Sequence, residues 1–150
     1  MDNNSRRTPQ PTSVSTFIER LKNHDKIDGD EIDEVASIST RDTFIFQAPR
    51  RVNDTLVIAL VDIYCVGEVD VLEILTEHPD VNAIVTLSSW NTVSGDAHNY
   101  GCERHVGVFT WKEFFGAINY KKFWMYEPLP PRLKDEESRA ERMRRRKSWN

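Results

Sequence analysis

Two strand-like segments joined by a very short connection constrain the fold of this chain more than any other feature. The segments "DTFIFQAP" (42–49) and "DTLVIALVDIYCV" (54–66) are rich in Thr, Phe, Ile, Val and Tyr, which favour strands. Only the turn-forming sequence "PRRVN" connects their apolar parts. A parallel pairing would need a crossover of a dozen or more residues, so the two segments are predicted to form an antiparallel hairpin.

The sequence after Gly67 alternates helical and strand-like patterns. "EVDVLEILTEH" predicts a helix that stops at Pro79, and the apolar "VNAIVTLSS" predicts a buried strand. A helix over "TVSGDAHNYGCER", a short strand at "VGVFT" and a closing helix over "WKEFFGAINY" follow. These connections are long enough for parallel pairing. The chain is therefore predicted to be an α/β protein whose mixed sheet has an antiparallel hairpin followed by parallel β-α-β-α-β.

Composition divides the 150 residues into three segments. Residues 1–13 are rich in Asn, Ser, Thr and Pro, too polar to offset the entropy of ordering, and are predicted to be disordered. Residues 14–127 are predicted to form one domain, opened by a helix from Ser15 to about Asn23 and a second helical stripe in "GDEIDEVASI". Residues 128–150 combine a stiff "PLPPR" linker with a charged tail that we expect to be helical only when bound.

Several features argue against a secreted or membrane protein. Cys65 and Cys102 lie far apart and form no disulfide framework. The longest uninterrupted apolar segment, Leu56 to Val61, is far short of the ~20 residues that span a bilayer. The polar start "MDNNSRRTPQPTS" lacks the apolar centre of a secretory signal. We therefore expect a soluble, cytoplasmic protein.

The segment "NAIVTLSSWNTVSGDAHNYGCERHVGVFTWKEFFGAI" carries a resemblance to a known family. In it an apolar strand ends at Thr86, a loop with Trp90 leads to a capped helix with a small inner face, and a short strand enters a last helix. Behind the predicted hairpin, this order of elements resembles the restriction-endonuclease-like superfamily, with Mrr-type restriction endonuclease domains as the nearest relatives. The resemblance implies a three-layer fold, DNA as a partner and Mg²⁺ as a cofactor.

The resemblance also implies positions for catalytic residues on the hairpin. The family has an acid on the first strand and an acid-x-lysine on the second, where residues i and i+2 face one metal-bound phosphate. The two acids fall on Asp42 and Asp62, which would bind Mg²⁺, and Glu31 or Glu34 could add a third carboxylate. The lysine position falls on Tyr64, whose phenol supplies no positive charge near neutral pH. The chain is thus either a Mg²⁺-dependent nuclease or a catalytically degenerate DNA-binding or assembly module.

Two other site hypotheses come from different residues. His98, Cys102 and His105, with Cys65, would offer four soft ligands, but their H-x3-C-x2-H spacing is not that of a recognised finger, and zinc is not expected. Alternatively, Asp62, Thr86 and Lys112 resemble the phosphoacceptor Asp, the Thr and the Lys of a response-regulator receiver domain. That fold needs a helical crossover before the Asp strand, which the short connection cannot supply.

Basic residues in two places are candidate nucleic-acid contacts. Arg50 and Arg51 lie at the predicted hairpin tip, where guanidinium groups could grip a phosphate backbone. Residues 132–150 hold eight Lys/Arg and four Asp/Glu, so they are net +4 while the residues before them are net −8. Their "RMRRRK" sequence supplies the other candidates, which are Arg144, Arg145, Arg146 and Lys147.

An aromatic cluster follows the last predicted helix. In "FFGAINYKKFWMY", Phe123, Trp124 and Tyr126 could bury a homodimer patch at the edge of a small domain. The same patch and the charged tail would serve an accessory protein that contacts other proteins. Loss of DNA affinity with rising salt would separate the nucleic-acid hypothesis from this one.

Overall fold

The computed structural model describes residues 6–34, 42–128 and 136–150. Eight strands are present in this part of the chain: β1 (Arg6–Arg7), β2 (Asp33–Glu34), β3 (Phe44–Ala48), β4 (Leu56–Ile63), β5 (Cys65–Val66), β6 (Ala83–Thr86), β7 (Thr92–Val93) and β8 (Gly107–Thr110). Its five α-helices are α1 (Pro11–Lys22), α2 (Glu68–Glu77), α3 (Gly95–Glu103), α4 (Trp111–Ala117) and α5 (Glu136–Trp149). None of these helices combines the length and the apolar content that a membrane crossing requires.

The main sheet has the strand order β2-β3-β4-β6-β8, and β1 pairs with the end of β4. β3 and β4 form the predicted antiparallel hairpin, with Phe44 opposite Leu60. β4, β6 and β8 are parallel to one another, and β5 and β7 form a separate parallel pair. The predicted α/β class and mixed sheet are therefore confirmed.

Helices cover both faces of the sheet and make three layers. The buried residues of α1 and α4 pack on one face, while those of α2 and α3 pack on the other. Along β4, even-numbered residues from Leu56 to Leu60 enter the first core, and odd-numbered residues from Ala59 to Ile63 enter the second. A strand covered on both sides needs apolar residues at successive positions, which explains why "LVIALV" does not alternate with polar residues.

The amino-terminal part of the chain differs from the predicted disordered segment over residues 6–13. β1 pairs antiparallel with β4, with Arg7 opposite Asp62, and α1 begins at Pro11, earlier than predicted. Proline suits the first turn of a helix because its missing N–H is not needed there. A distant strand and an ion-pair partner thus order polar residues that have no apolar stripe of their own.

The predicted second helix over "GDEIDEVASI" is wrong in the described residues. A 3₁₀ turn spans Gly29–Glu31, and β2 then pairs with β3, with Glu34 opposite Phe46. Pairing with a neighbouring strand overrides the helical spacing of the apolar residues. The remaining residues of that prediction, 35–38, lie outside the described part of the chain.

The carboxyl-terminal tail is a helix docked on the domain. The Trp149 side chain is buried at the end of α5, with its ring 4.9 Å from that of Tyr120 and 5.1 Å from that of Tyr126. The backbone N–H of Lys122 donates to the Trp149 carbonyl at 2.9 Å. We expected a tail that is helical only when bound, whereas burial of one indole ring attaches α5 to its own domain.

Candidate functional site

Asp62 is the centre of a hydrogen-bond network at the carboxyl end of β4. It is only 7% exposed, and its Oδ1 accepts three hydrogen bonds: from Arg7 Nη2 at 2.8 Å, Ser88 Oγ at 2.9 Å and Asn91 Nδ2 at 2.7 Å. A buried carboxylate is costly unless it is paired and hydrogen-bonded. This network therefore explains how an aspartate is tolerated in an apolar strand.

The network also joins β4 to the loop that follows β6. Asn91 Nδ2 donates to Thr86 Oγ1 at 2.9 Å as well as to Asp62. The Thr86 hydroxyl donates to the Ile63 carbonyl at 2.9 Å and accepts from the Ile63 N–H at 3.1 Å. Because the carboxyl ends of parallel strands meet at one edge of a sheet, the ends of β4 and β6 bring these side chains together. Asp62 thus accepts hydrogen bonds from β1, through Arg7, and from the loop after β6, through Ser88 and Asn91.

The surroundings of Asp62 act on its pKa in opposite directions. Burial alone raises the pKa of this carboxyl, while hydrogen bonds from Arg7, Asn91 and Ser88 and the positive charge of Arg7 lower it. The lowering contributions win, so the pKa of Asp62 lies below its ordinary value. The network therefore stabilises the ionised carboxylate in the folded state.

This pKa predicts a pH dependence of stability. A carboxyl whose pKa is lower in the folded than in the unfolded state stabilises the fold above its unfolded pKa, about 3.9, and loses that contribution as the pH falls through the folded value. As the pH falls below about 4, we expect the unfolding free energy of the wild type to fall more steeply than that of Asp62→Asn. Urea unfolding across this range tests the prediction, and parallel profiles for the two proteins would contradict it.

Asp42 and Asp62, two residues of the predicted catalytic set, are not paired across the β3–β4 hairpin. Extending the β3–β4 register would set Asp42 opposite Asp62, but β3 begins at Phe44 and the sheet partner of Asp62 is Arg7. Asp42 instead accepts a hydrogen bond from Thr43 Oγ1 at 3.2 Å. Tyr64 lies beyond the end of β4 and is 57% exposed. The cation beside Asp62 is therefore Arg7, from a segment that the sequence did not mark as functional.

Ser88, Asn91 and Arg7 are site residues to which sequence reasoning assigned no role. Ser88 and Asn91 follow the apolar strand that ends at Thr86, and the shared carboxyl edge of parallel strands was a signal that could have placed them near Asp62. For Arg7 the sequence carries no such signal, because its partner lies 55 residues away.

Asp62 is one of the two residues of the predicted Mg²⁺ site. Its Oδ1 already accepts three hydrogen bonds, one of them from a guanidinium that would repel a bound cation. Within residues 6–34, 42–128 and 136–150, no three His, Cys, Asp or Glu side chains are grouped so as to hold a metal ion. The Mg²⁺ site at Asp42 and Asp62 stays a prediction.

The four zinc candidates form no metal-binding group within the described part of the chain. A ring nitrogen of His98 lies 3.2 Å from the Tyr126 carbonyl, while the His105 ring stacks on Trp124 at 4.5 Å. Cys65 is exposed and Cys102 is partly buried. The two histidines thus have packing roles at the end of the domain.

Of the two arginines at the hairpin tip, Arg50 belongs to the core. It is buried, and its guanidinium donates to the carbonyls of Asp54 at 3.0 Å and Tyr120 at 2.7 Å. Burial also lowers its pKa. The predicted phosphate contact at Arg50 is therefore not supported, because its donors bind backbone oxygens. Arg51 is exposed, and its Nε donates to the Asp25 carbonyl at 3.1 Å.

The aromatic residues of the predicted dimer patch make contacts within the chain. Phe123 is buried under the Arg50 guanidinium, which lies 5.1 Å from its ring centre. Trp124 stacks on His105, and Tyr126 contacts Trp149 and Tyr120. Tyr126 is thus the residue of this cluster that contacts α5, and a homodimer through these residues stays a prediction.

Comparisons with known proteins add no relative to this description. The chain matches no protein-family model, no curated protein and no solved structure. The resemblance to Mrr-type domains therefore stays a prediction that is based on the quoted residues and on the order of elements.

Proposed function

We propose that this chain is a non-catalytic, restriction-endonuclease-like module that binds nucleic acid through α5. The observation that carries the proposal is a highly basic helix attached to an acidic domain by a buried tryptophan. Residues 132–150 are net +4 on a body that is net −8. Cations held on an ordered helix release counterions from nucleic acid without first paying the entropy of helix formation.

The burial pattern of α5 separates an inner from an outer face. Glu141 and Arg145 are partly buried and Trp149 is buried, so every fourth residue faces the domain. Glu141 forms ion pairs with Arg144 and Arg145, which reduces the charge that these two offer to a phosphate. Arg146 and Lys147 are exposed, and they are the strongest candidate contacts among the predicted set.

The environment of Asp62 supports the non-catalytic part of the proposal. One of its two carboxylate oxygens, Oδ1, accepts hydrogen bonds from Arg7, Ser88 and Asn91. Tyr64, which is exposed, stands where the resemblance calls for a lysine. The receiver alternative gains no support either, because β3 and β4 pair antiparallel, whereas a receiver needs a parallel crossover at this point.

Binding to a labelled DNA duplex tests the proposal. We expect fluorescence anisotropy to report an affinity that falls steeply with salt. The double variant Arg146→Ala/Lys147→Ala should weaken binding about tenfold at low salt and reduce the slope of log K against log salt by about 2. The double variant Lys22→Ala/Lys26→Ala removes the same charge from exposed positions outside α5 and should change little. Equal losses in the two variants, or no binding by the wild type, would contradict the proposal.

A plasmid-nicking assay with Mg²⁺ tests the non-catalytic part separately. We expect no nicking by the wild type, because Asp62 is bound to Arg7 and no lysine stands at position 64. Mg²⁺-dependent nicking that is lost in Asp62→Asn would show that the chain is an active nuclease. That result would leave the role of α5 in binding untouched.

A further inference from the structure

A cavity of about 380 Å³ lies between α1, the loop after β6 and the start of α4. Its volume is at the small end of the range for ligand pockets, about 300–1,000 Å³. The cavity adjoins the Asp62 network, because Ser88 both lines it and donates to Asp62. It is separate from the residues of α5 that carry the proposed function.

Aromatic rings form the walls of this cavity. Trp90, in the loop after β6, is 65% exposed, and Trp111 is partly buried at the start of α4. Phe17 contributes a buried ring from α1. An indole that remains largely in water at the rim of a pocket leaves apolar area uncovered, and its flat face favours a planar ring as the partner.

The polar groups of the lining favour an anionic ligand. Hydroxyl groups come from Thr12, Ser13 and Thr16 on α1 and from Ser88 and Ser89 in the loop. Arg20 is the charged residue among the described lining residues. Its guanidinium lies 5.1 Å from the centre of the Trp111 ring, so a cation is held beside an aromatic wall. Hydroxyls with one guanidinium can bind a phosphate and the edge of a base together.

We propose that this cavity binds a single nucleotide unit. The base would lie against Trp90 and Trp111, and the phosphate would bind near Arg20. The unit could be a free nucleoside monophosphate or an unpaired nucleotide of a single strand, since both present the same base and phosphate. This cavity would add a nucleotide-binding site to the proposed nucleic-acid-binding module. It rests on the proposed function in one respect, which is that nucleic acid is the natural ligand.

Isothermal titration calorimetry tests the proposal with the four deoxynucleoside monophosphates, the matching nucleosides and a 12-nucleotide single strand. Trp90→Ala should weaken binding about tenfold, since base stacking on an aromatic ring is commonly worth about that much. Leu72→Ala, at an exposed apolar position on α2, should bind as the wild type does. The wild type should bind monophosphates more tightly than nucleosides. Arg20→Ala should lose this preference, and the control variant Lys22→Ala should keep it.

The arms of this experiment identify the source of the nucleotide. Binding of monophosphates that depends on Trp90 supports a free nucleotide, and Trp90-dependent binding of the single strand alone supports an unpaired strand. No binding, or binding that neither Trp90→Ala nor Arg20→Ala changes, overturns the proposal. The Arg146→Ala/Lys147→Ala variant should keep its affinity for monophosphates. A variant that loses duplex binding but keeps monophosphate binding is therefore altered in α5. A variant that loses monophosphate binding but keeps duplex binding is altered in the cavity.

Discussion

Replacing Asp62 by alanine is expected to lower the free energy of unfolding by about 3 kcal/mol at neutral pH. The substitution removes the acceptor of three hydrogen bonds, one of them charged. Asn91 then keeps a buried amide that has lost its strongest partner, and an unsatisfied buried donor carries its full desolvation penalty. Arg7 is half-exposed and can turn to water, so the loss should stay below that of a fully buried ion pair.

Denaturant unfolding of a matched set measures this effect. Asp62→Asn keeps one acceptor oxygen without the charge. Its loss of unfolding free energy should be about half that of Asp62→Ala. Asp80→Ala, at an exposed turn position, should stay within about 0.5 kcal/mol of the wild type. A loss in Asp62→Ala no greater than that of the Asp80 control would mean that the network does not stabilise the fold.

Replacing Trp149 by alanine is expected to release α5 from the domain. The free energy that holds α5 against the domain should fall by about 3 kcal/mol. The buried indole contacts Tyr120 and Tyr126, whereas most other residues of α5 are charged or exposed. An isolated helix of 14 residues is marginal in water. Without its anchor, α5 should therefore unfold locally while the sheet remains intact.

Hydrogen exchange gives the most direct test of this second prediction. The amides of α5 should lose protection in Trp149→Ala, and the amides of β4 and β6 should keep theirs. Trp90→Ala removes the same side chain from a largely exposed position and should leave α5 protected. Duplex binding by Trp149→Ala should weaken although every cation remains. Unchanged protection of α5 in this variant would show that Trp149 is not its anchor.

The elements that could be predicted from the sequence are those with a strong local pattern. β3, β4 and α2 lie where the apolar runs and the Pro79 stop signal predicted them, because these patterns act over a few residues. The predicted helix at residues 29–38 was wrong where the structure describes it, since a two-residue strand is held by its neighbour and not by its own propensity.

The candidate site was predicted in part. The sequence assigned Asp62 to a candidate site within a predicted strand, and the structure shows that this side chain is buried. Its partners could not be predicted in the same way, because Arg7 lies 55 residues away and Asn91 29 residues away. The role of Arg50 was likewise decided at a distance, by the Tyr120 carbonyl.

The sequence by itself thus determined the hairpin and the parallel half, because the length of a connection and the period of apolar residues restrict which strands can pair. The tertiary structure alone decided what Asp62 does, that α5 docks through Trp149, and that a cavity opens beside Trp90 and Trp111. Each of these depends on side chains far apart in the chain, and their contacts are set by packing, which no local pattern encodes.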